Sequence, residues 1–199
     1  MTDQEIRINY PIPGTPMTTD AFLALPETTT HMELLRGVVV YPHGYPGDNA
    51  NMSPSPEMAH QDVVANAYDL LKALKQGKVR FAPMDVTLPD GSVVQPDVFL
   101  IRAGSDRAMV DKTVKGVPDL VVEVLSPSTK RYDRTDKFTL YQSAGVPEYW
   151  LIDPTVQVIE VWQLVDGVYQ EHGAYKAGEQ FSSPLLSASF SVEALFADD

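Results

Sequence analysis

The stretch PDLVVEVLSPST at 118–129, followed by YDRTDK at 132–137, decides the architecture. DLVVEVL is an almost unbroken apolar run of strand length, the pattern of a strand covered on both faces. Glu123 stands inside it between Val122 and Val124. A carboxylate there is costly unless it is paired, protonated or bound to a cation. Residues 126–145 then read as a capped helix ended by Gly145. At about 100° per residue, Phe138, Leu140, Tyr141 and Ala144 define its apolar stripe. Lys137 falls near the centre of that stripe, with Asp133 one turn earlier on the same side. The short connection from Leu125 folds the helix back over the strand, so Lys137 reaches the side of Glu123. A structural Lys137–Asp133 pair on the helix surface is the competing reading.

Moving upstream, KVRFAPMDVTL (78–88) and VVQPDVFLIR (93–102) form a β-hairpin around the turn PDGS, with Asp85 and Asp97 inside its strands. Two-residue alternation puts Gln95 on the face of Asp97. One buried acid is accounted for by a salt bridge. Two or three on neighbouring strands repel one another unless a cation sits between them, as in many Mg2+ sites. Residues 56–76 carry Val63, Val64, Ala67, Leu70, Leu71 and Leu74 at helical spacing, with Gly77 as the stop. A short helix is expected at 18–27, a hairpin at 31–42, a long Pro- and Gly-punctuated loop at 41–57 and a charged loop at 103–118. Strands follow at 148–153, 157–164 and 168–176. The expected architecture is one α/β domain, 18–199, around a mixed β-sheet flanked by helices, after an extended arm at 1–17 and with added C-terminal strands.

At 199 residues, 44% hydrophobic and 21% charged, the chain is neither disordered, collagen-like nor a coiled coil. No stretch reaches the roughly 18 consecutive apolar residues of a membrane helix. Asp3, Glu5, Arg7 and Asp20 interrupt any leader, so a cytoplasmic protein is expected. The absence of cysteine excludes disulfides, thiolate metal sites and a Cys nucleophile. His31, His43, His60 and His172 are scattered without zinc spacing, and no phosphate-loop, dinucleotide or serine-hydrolase motif is found. A net charge of −12 opposes a sequence-independent grip on nucleic acid. Residues 102–137, however, hold 8 basic and 6 acidic groups between two acidic flanks. Either the basic groups gather at the site, or they are a solvated loop and helix. Trp150, Trp162, Tyr149 and Tyr169 read as core or dimer surface rather than stacking platforms, and Glu148 as a structural acid.

QPD (95–97), PDLVVEVLSPST (118–129), YDRTDK (132–137) and YQSAGVPEYWLIDP (141–154) together resemble the Uma-two family of bacterial proteins. ELLRG (33–37) and MSPSPEMAHQ (52–61) resemble its opening segments. That family is placed in the PD-(D/E)XK, restriction-endonuclease-like superfamily, and the resemblance spans about 18–190. It implies a metal-dependent nuclease using Mg2+ or Mn2+ on nucleic acid, DNA before RNA, as a homodimer. The superfamily's PD acid falls on Asp97 and its (D/E)XK acid on Glu123, with the Val124 main-chain carbonyl completing the metal shell. Leu125 stands where the motif has lysine, which implies a migrated lysine at Lys137. Glu33 resembles an upstream acid that many such nucleases use for a metal. His60 matches the family's HQ, read either as a structural histidine or as a ligand. Gln95, Asp85 and Asp133 are supporting or substrate-contacting candidates. A catalytically silent member working as an interaction or nucleic-acid-binding module is the alternative.

Overall fold

The computed structural model describes residues 10–197 except 27, 29, 46–57, 111 and 112. In chain order its first elements are α1 (Thr19–Leu23), β1 (Glu33–Leu35), β2 (Val38–Val40), α2 (Met58–Ala73), β3 (Gly77–Phe81), β4 (Val86–Thr87), β5 (Val93–Val94) and β6 (Val98–Arg102). Next come β7 (Ala108–Val110), β8 (Val114–Gly116), β9 (Leu120–Val124), α3 (Lys130–Tyr132), a π-helical turn (Asp133–Lys137) and α4 (Phe138–Ala144). The chain continues through β10 (Glu148–Asp153), β11 (Val158–Val165), β12 (Val168–Lys176), β13 (Gln180–Ser183), β14 (Ala188–Ser191) and a 3-10 turn (Val192–Leu195).

The central mixed sheet runs β12-β11-β10-β9-β6-β3, with β9 and β10 parallel and joined through α3 and α4. Both faces of β9 are buried, as its apolar run requires. Leu120, Val122 and Val124 face Val63, Ala67 and Leu71 of α2, with Phe181, Phe190 and Leu195 closing the same layer. Val121 and Leu125 face the other way, onto Leu140 and Tyr141 of α4. Alternation therefore turns Glu123 towards the helices that follow it. A second sheet, β2-β1-β5-β4-β8-β7, lies beside this layer.

The hairpin expected at 78–102 is split between the sheets. Its inner part, β3 with β6, belongs to the central sheet, and its outer part, β4 with β5, pairs with β1 and β8. Pro83 and Pro96 stand in the break, where neither can donate a ladder hydrogen bond. Asp85 and Asp97 consequently sit in irregular chain at strand ends, not within strands. The loop expected at 103–118 contains β7 and β8. The single helix expected at 126–145 is interrupted by the π turn, where the Phe138 N–H bonds the Asp133 carbonyl. Gly77 is not the stop of α2: Lys75 takes the left-handed conformation (φ 55°), and a Cβ on Gly77 would lie 2.1 Å from the Ile101 carbonyl oxygen.

Residues 14–17 bond along β2 through Gly14, Thr15 and Met17, whereas the rest of the expected arm before residue 10 and most of the 41–57 loop lie outside the described residues. Trp150 and Tyr149 are fully buried. Glu148 accepts from Trp150 Nε1 at 2.7 Å and from the Leu185 N–H at 3.0 Å, the structural role its sequence suggests. Among the described residues no helix is long and apolar enough to cross a membrane.

Gly145 caps α4 at φ 82°, and a Cβ there would meet only Arg107 Nη2 at 3.8 Å. Space is therefore not limiting, and the left-handed backbone alone sets the cost. Gly145→Ala is expected to lower unfolding free energy by about 1–2 kcal/mol, read as a lower urea midpoint.

Candidate active site

Lys137 is the centre of the site. The π turn carries it and Asp133 into the buried layer together, both 3% exposed or less. Lys137 Nζ donates to Glu123 Oε1 at 2.9 Å and lies 3.3 Å from Glu33 Oε1 and 3.7 Å from Asp133 Oδ1. Tyr141, one turn on, donates its hydroxyl to the same Glu123 oxygen at 2.7 Å. Glu33 arrives from β1 and is fully buried. Its Oε1 also accepts the Gln95 N–H at 2.9 Å, and its Oε2 the Tyr132 hydroxyl at 2.6 Å.

Asp97 stands at the start of β6, on the strand next to Glu123. Its Oδ2 accepts the Val124 N–H at 2.7 Å and lies 3.5 Å from His60 Nε2, in the first turn of α2. The Asp97 side chain is 20% exposed, so this end of the cluster opens to solvent. His60 Nδ1 is buried with no hydrogen-bond partner among the described residues. Asp85 is removed from the acids: its Oδ1 accepts from Gln95 Nε2 at 2.8 Å. Gln95 thus serves Asp85 with its side chain and Glu33 with its backbone. It does not extend a strand face with Asp97.

The four carboxylates share too little positive charge. Burial pushes Glu123 well above the ordinary carboxylate range, against the pull of Lys137 and with Asp97 and Asp133 adding to the rise. Burial likewise pushes Asp133 up to about 6. Glu33 goes the other way: burial would raise it, but Lys137, His31 and the Gln95 N–H hold it at about 2. Asp97 also stays below its usual value, because His60, Lys137 and the Val124 N–H outweigh its burial. His60 is raised in return, Asp97 offsetting the burial that would keep it neutral. Burial alone would discharge Lys137, yet Glu123 and Glu33 hold its pKa well above the ordinary lysine value. Lys137 is therefore an ammonium at neutral pH and cannot take a proton from water.

The histidines are not scattered in space. His31 and His43 pack with ring centroids 5.1 Å apart, and His31 Nε2 lies 3.4 Å from Glu33 Oε1 without hydrogen-bond geometry. His43 Nδ1 is 3.4 Å from Ser128 Oγ, and burial with the neighbouring His31 lowers its pKa to about 4, which keeps it neutral. His172 is elsewhere, on β12 beside Ser182. His31, His43, Tyr132 and the hydroxyl role of Tyr141 are additions from the structure. Only Tyr141 left a trace in the sequence, four residues after Lys137 on the same helix face. Three of the basic groups of 102–137 are consumed by the scaffold. Arg134 forms a two-pronged pair with Glu160 at 2.7 and 2.9 Å, Lys130 pairs with Asp153 at 2.8 Å, and Arg107 bonds the Gly145 carbonyl.

Among the described residues no three His, Asp or Glu groups converge tightly enough to hold a metal as they stand. Two oxygens nevertheless lack hydrogen-bond partners among those residues, Asp97 Oδ1 and Glu123 Oε2. Val124 adds a third donor: a strand residue's N–H and C=O leave on the same side, and its N–H faces Asp97. An all-oxygen set with surplus negative charge suits a hard divalent cation such as Mg2+ or Mn2+.

Comparison with known proteins agrees with this picture of the fold. The chain is 35% identical over 102 residues to the "Uncharacterized protein slr1290" of Synechocystis sp., 51% of this chain and 53% of that protein. The chain thus spans about half the length of that curated relative. Its fold matches the crystal structure titled as a putative nuclease belonging to DUF820 from Anabaena variabilis, with a TM-score of 0.71 at 20% identity over 91% of this chain and 98% of the other. That likeness establishes a shared mixed α/β fold. The family model described as "Putative restriction endonuclease" matches residues 19–194, and the chain belongs to that family, Uma2.

Proposed function

We propose that this protein is a divalent-metal-dependent endonuclease that hydrolyses phosphodiester bonds of nucleic acid, with DNA the first substrate to test. The observation that carries the reading is the burial of Glu33, Glu123 and Asp133 around one lysine, with the part-exposed Asp97 at the open end and, among the described residues, an oxygen of Asp97 and one of Glu123 unspent. Asp97, Glu123 and the Val124 carbonyl would hold Mg2+ or Mn2+. When bound, such an ion polarises the scissile phosphate and makes hydroxide available near neutral pH. Lys137 orients Glu123 and supplies fixed positive charge beside the developing transition state. Glu33 anchors that lysine; both of its oxygens are engaged, so it is not a ligand in this reading. His60 stands at the open end of the cluster, where its Nε2 faces Asp97 and holds that carboxylate charged. Two copies acting together belong to the reading only where both strands of a duplex are cut.

Family membership and the nuclease description of the structural relative support this reading at the level of chemistry class. Two features favour a second, catalytically silent reading: Leu125 replaces the expected lysine as core packing, and Lys137 is engaged by Glu33, Glu123 and Asp133. The deciding experiment incubates the protein and Asp97→Ala with supercoiled plasmid, single-stranded oligonucleotide and RNA, in EDTA, Mg2+ or Mn2+. Cleavage only with metal, lost in the variant, is expected. No cleavage together with no Mn2+ binding by calorimetry selects the silent module. Equal cleavage by both proteins removes Asp97 from the site.

A further inference from the structure

A cavity of about 540 Å3 opens beside the acid cluster, between the β1–β2 hairpin and the π turn. Its walls include Leu35, Arg36, Tyr41, Tyr132, Asp136 and Thr139. That volume is within the roughly 300–1,000 Å3 of small-molecule sites. Tyr132 joins the cavity to the site, for its ring lines the cavity while its hydroxyl is spent on Glu33. Two short segments form a shared rim. One runs from Tyr41 and Pro42 in the cavity wall to His43, which packs on His31 beside Glu33. The other runs from Tyr132 back to Ser128, which His43 approaches across the rim.

The lining is chemically sorted. Tyr41 and Tyr132 offer flat apolar rings. The Tyr41 hydroxyl already donates to the Pro11 carbonyl, so that ring is held in place. Arg36, exposed at the hairpin turn, is the cation of the lining, and the exposed Asp136 is its anion. A planar group with amino donors matches such rings and the Asp136 carboxylate, and a phosphate matches Arg36. Those are the two ends of a nucleotide. A base stacked and paired inside a duplex cannot reach into a recessed cleft of this kind, so the occupant must be unpaired.

We propose that this cavity is a nucleobase subsite holding the unpaired base next to the bond that is cut, which makes single-stranded or locally unpaired nucleic acid the substrate class. The proposal rests on the phosphodiesterase reading of the acid cluster, and its test is a binding measurement that does not depend on cutting. Fluorescein-labelled single-stranded DNA, the same sequence as RNA and the corresponding DNA duplex are titrated with the full chain in EDTA and followed by anisotropy. Two variants outside the acid cluster are compared: Thr139→Trp, which fills the cavity from the exposed face of α4, and Arg36→Gln. The unmodified chain is expected to bind one of the single strands at least about tenfold tighter than duplex, since stacking on aromatic rings is available only to unpaired bases. Each variant is expected to weaken that binding about tenfold while leaving the melting temperature in place. An abasic nucleotide moved along the strand should reproduce the loss at one position only.

Equal or tighter binding of duplex, or single-strand binding within twofold of the parent in Thr139→Trp, overturns the subsite. If no nucleic acid is cut with metal but Thr139→Trp still abolishes single-strand binding, the subsite stands and the nuclease reading fails. If plasmid is cut with metal and neither variant changes binding, the nuclease reading stands and the subsite fails.

Discussion

Replacing Lys137 with alanine is expected to lower the unfolding free energy by about 3–5 kcal/mol at neutral pH, the typical cost of removing one partner from a buried ion cluster. Three carboxylates lie 2.9, 3.3 and 3.7 Å from its ammonium, and Glu33 and Glu123 are 0% and 2% exposed. Without the lysine these groups must ionise in a medium that solvates them poorly, or take up protons. The same change should abolish metal-dependent cleavage, because Glu123 keeps only the Tyr141 hydroxyl of its two donors and the site loses its fixed positive charge. A triple variant, Lys137→Met with Glu33→Gln and Glu123→Gln, separates the two effects. Removing charge from all three positions should return most of the stability, since neutral replacements of buried ion clusters are often tolerated. It should not return cleavage. Urea midpoints of the parent, the single variant and the triple variant are the measurement. A loss below about 1 kcal/mol in Lys137→Ala would mean that water reaches the cluster freely.

The acid limb of the stability curve should belong largely to Glu33. Its carboxyl is held at about 2 in the folded protein against an ordinary value of 4.5. A depressed folded-state value means that the contribution is fully present above about 4.5 and drains away as pH falls towards 2. For a fully buried group this depression corresponds to about 3 kcal/mol. Asp133 has the opposite sign. Raised from 3.8 to about 6, it favours the folded state when protonated, and that contribution is lost as pH rises through 6. Between pH 5 and 2.5 the parent is therefore expected to lose about 2 kcal/mol more than Glu33→Gln, which has no proton to bind there. Urea midpoints across that range test it. Parallel curves for the two proteins would falsify the assignment.

Helical periodicity in the sequence puts Lys137 among apolar residues, and strand alternation turns Glu123 to the face of Leu125 and Val121. Both follow from local geometry, and a reader of 118–145 needs no other part of the chain to expect them. The π turn escaped that reading because it changes the helix by one hydrogen bond, which no composition signal marks. Asp97 is conspicuous in its strand, yet its place at a strand end depends on two prolines that divide one hairpin between two sheets. His31 and His43 carried no signal at all, since their spacing along the chain fits no ligand motif.

What the sequence by itself determined is therefore the buried strand, the inward lysine, the left-handed Gly145 stop and the structural role of Glu148, all set by periods of two or 3.6 residues and by glycine's conformational range. The tertiary structure alone decided the company these residues keep. Tyr132 and Glu33 are 99 positions apart, and Glu33 and Gln95 are 62 apart. Such pairs form because a buried charge must find its partners wherever the packed layers bring them, and that requirement acts across space and leaves no period along the chain.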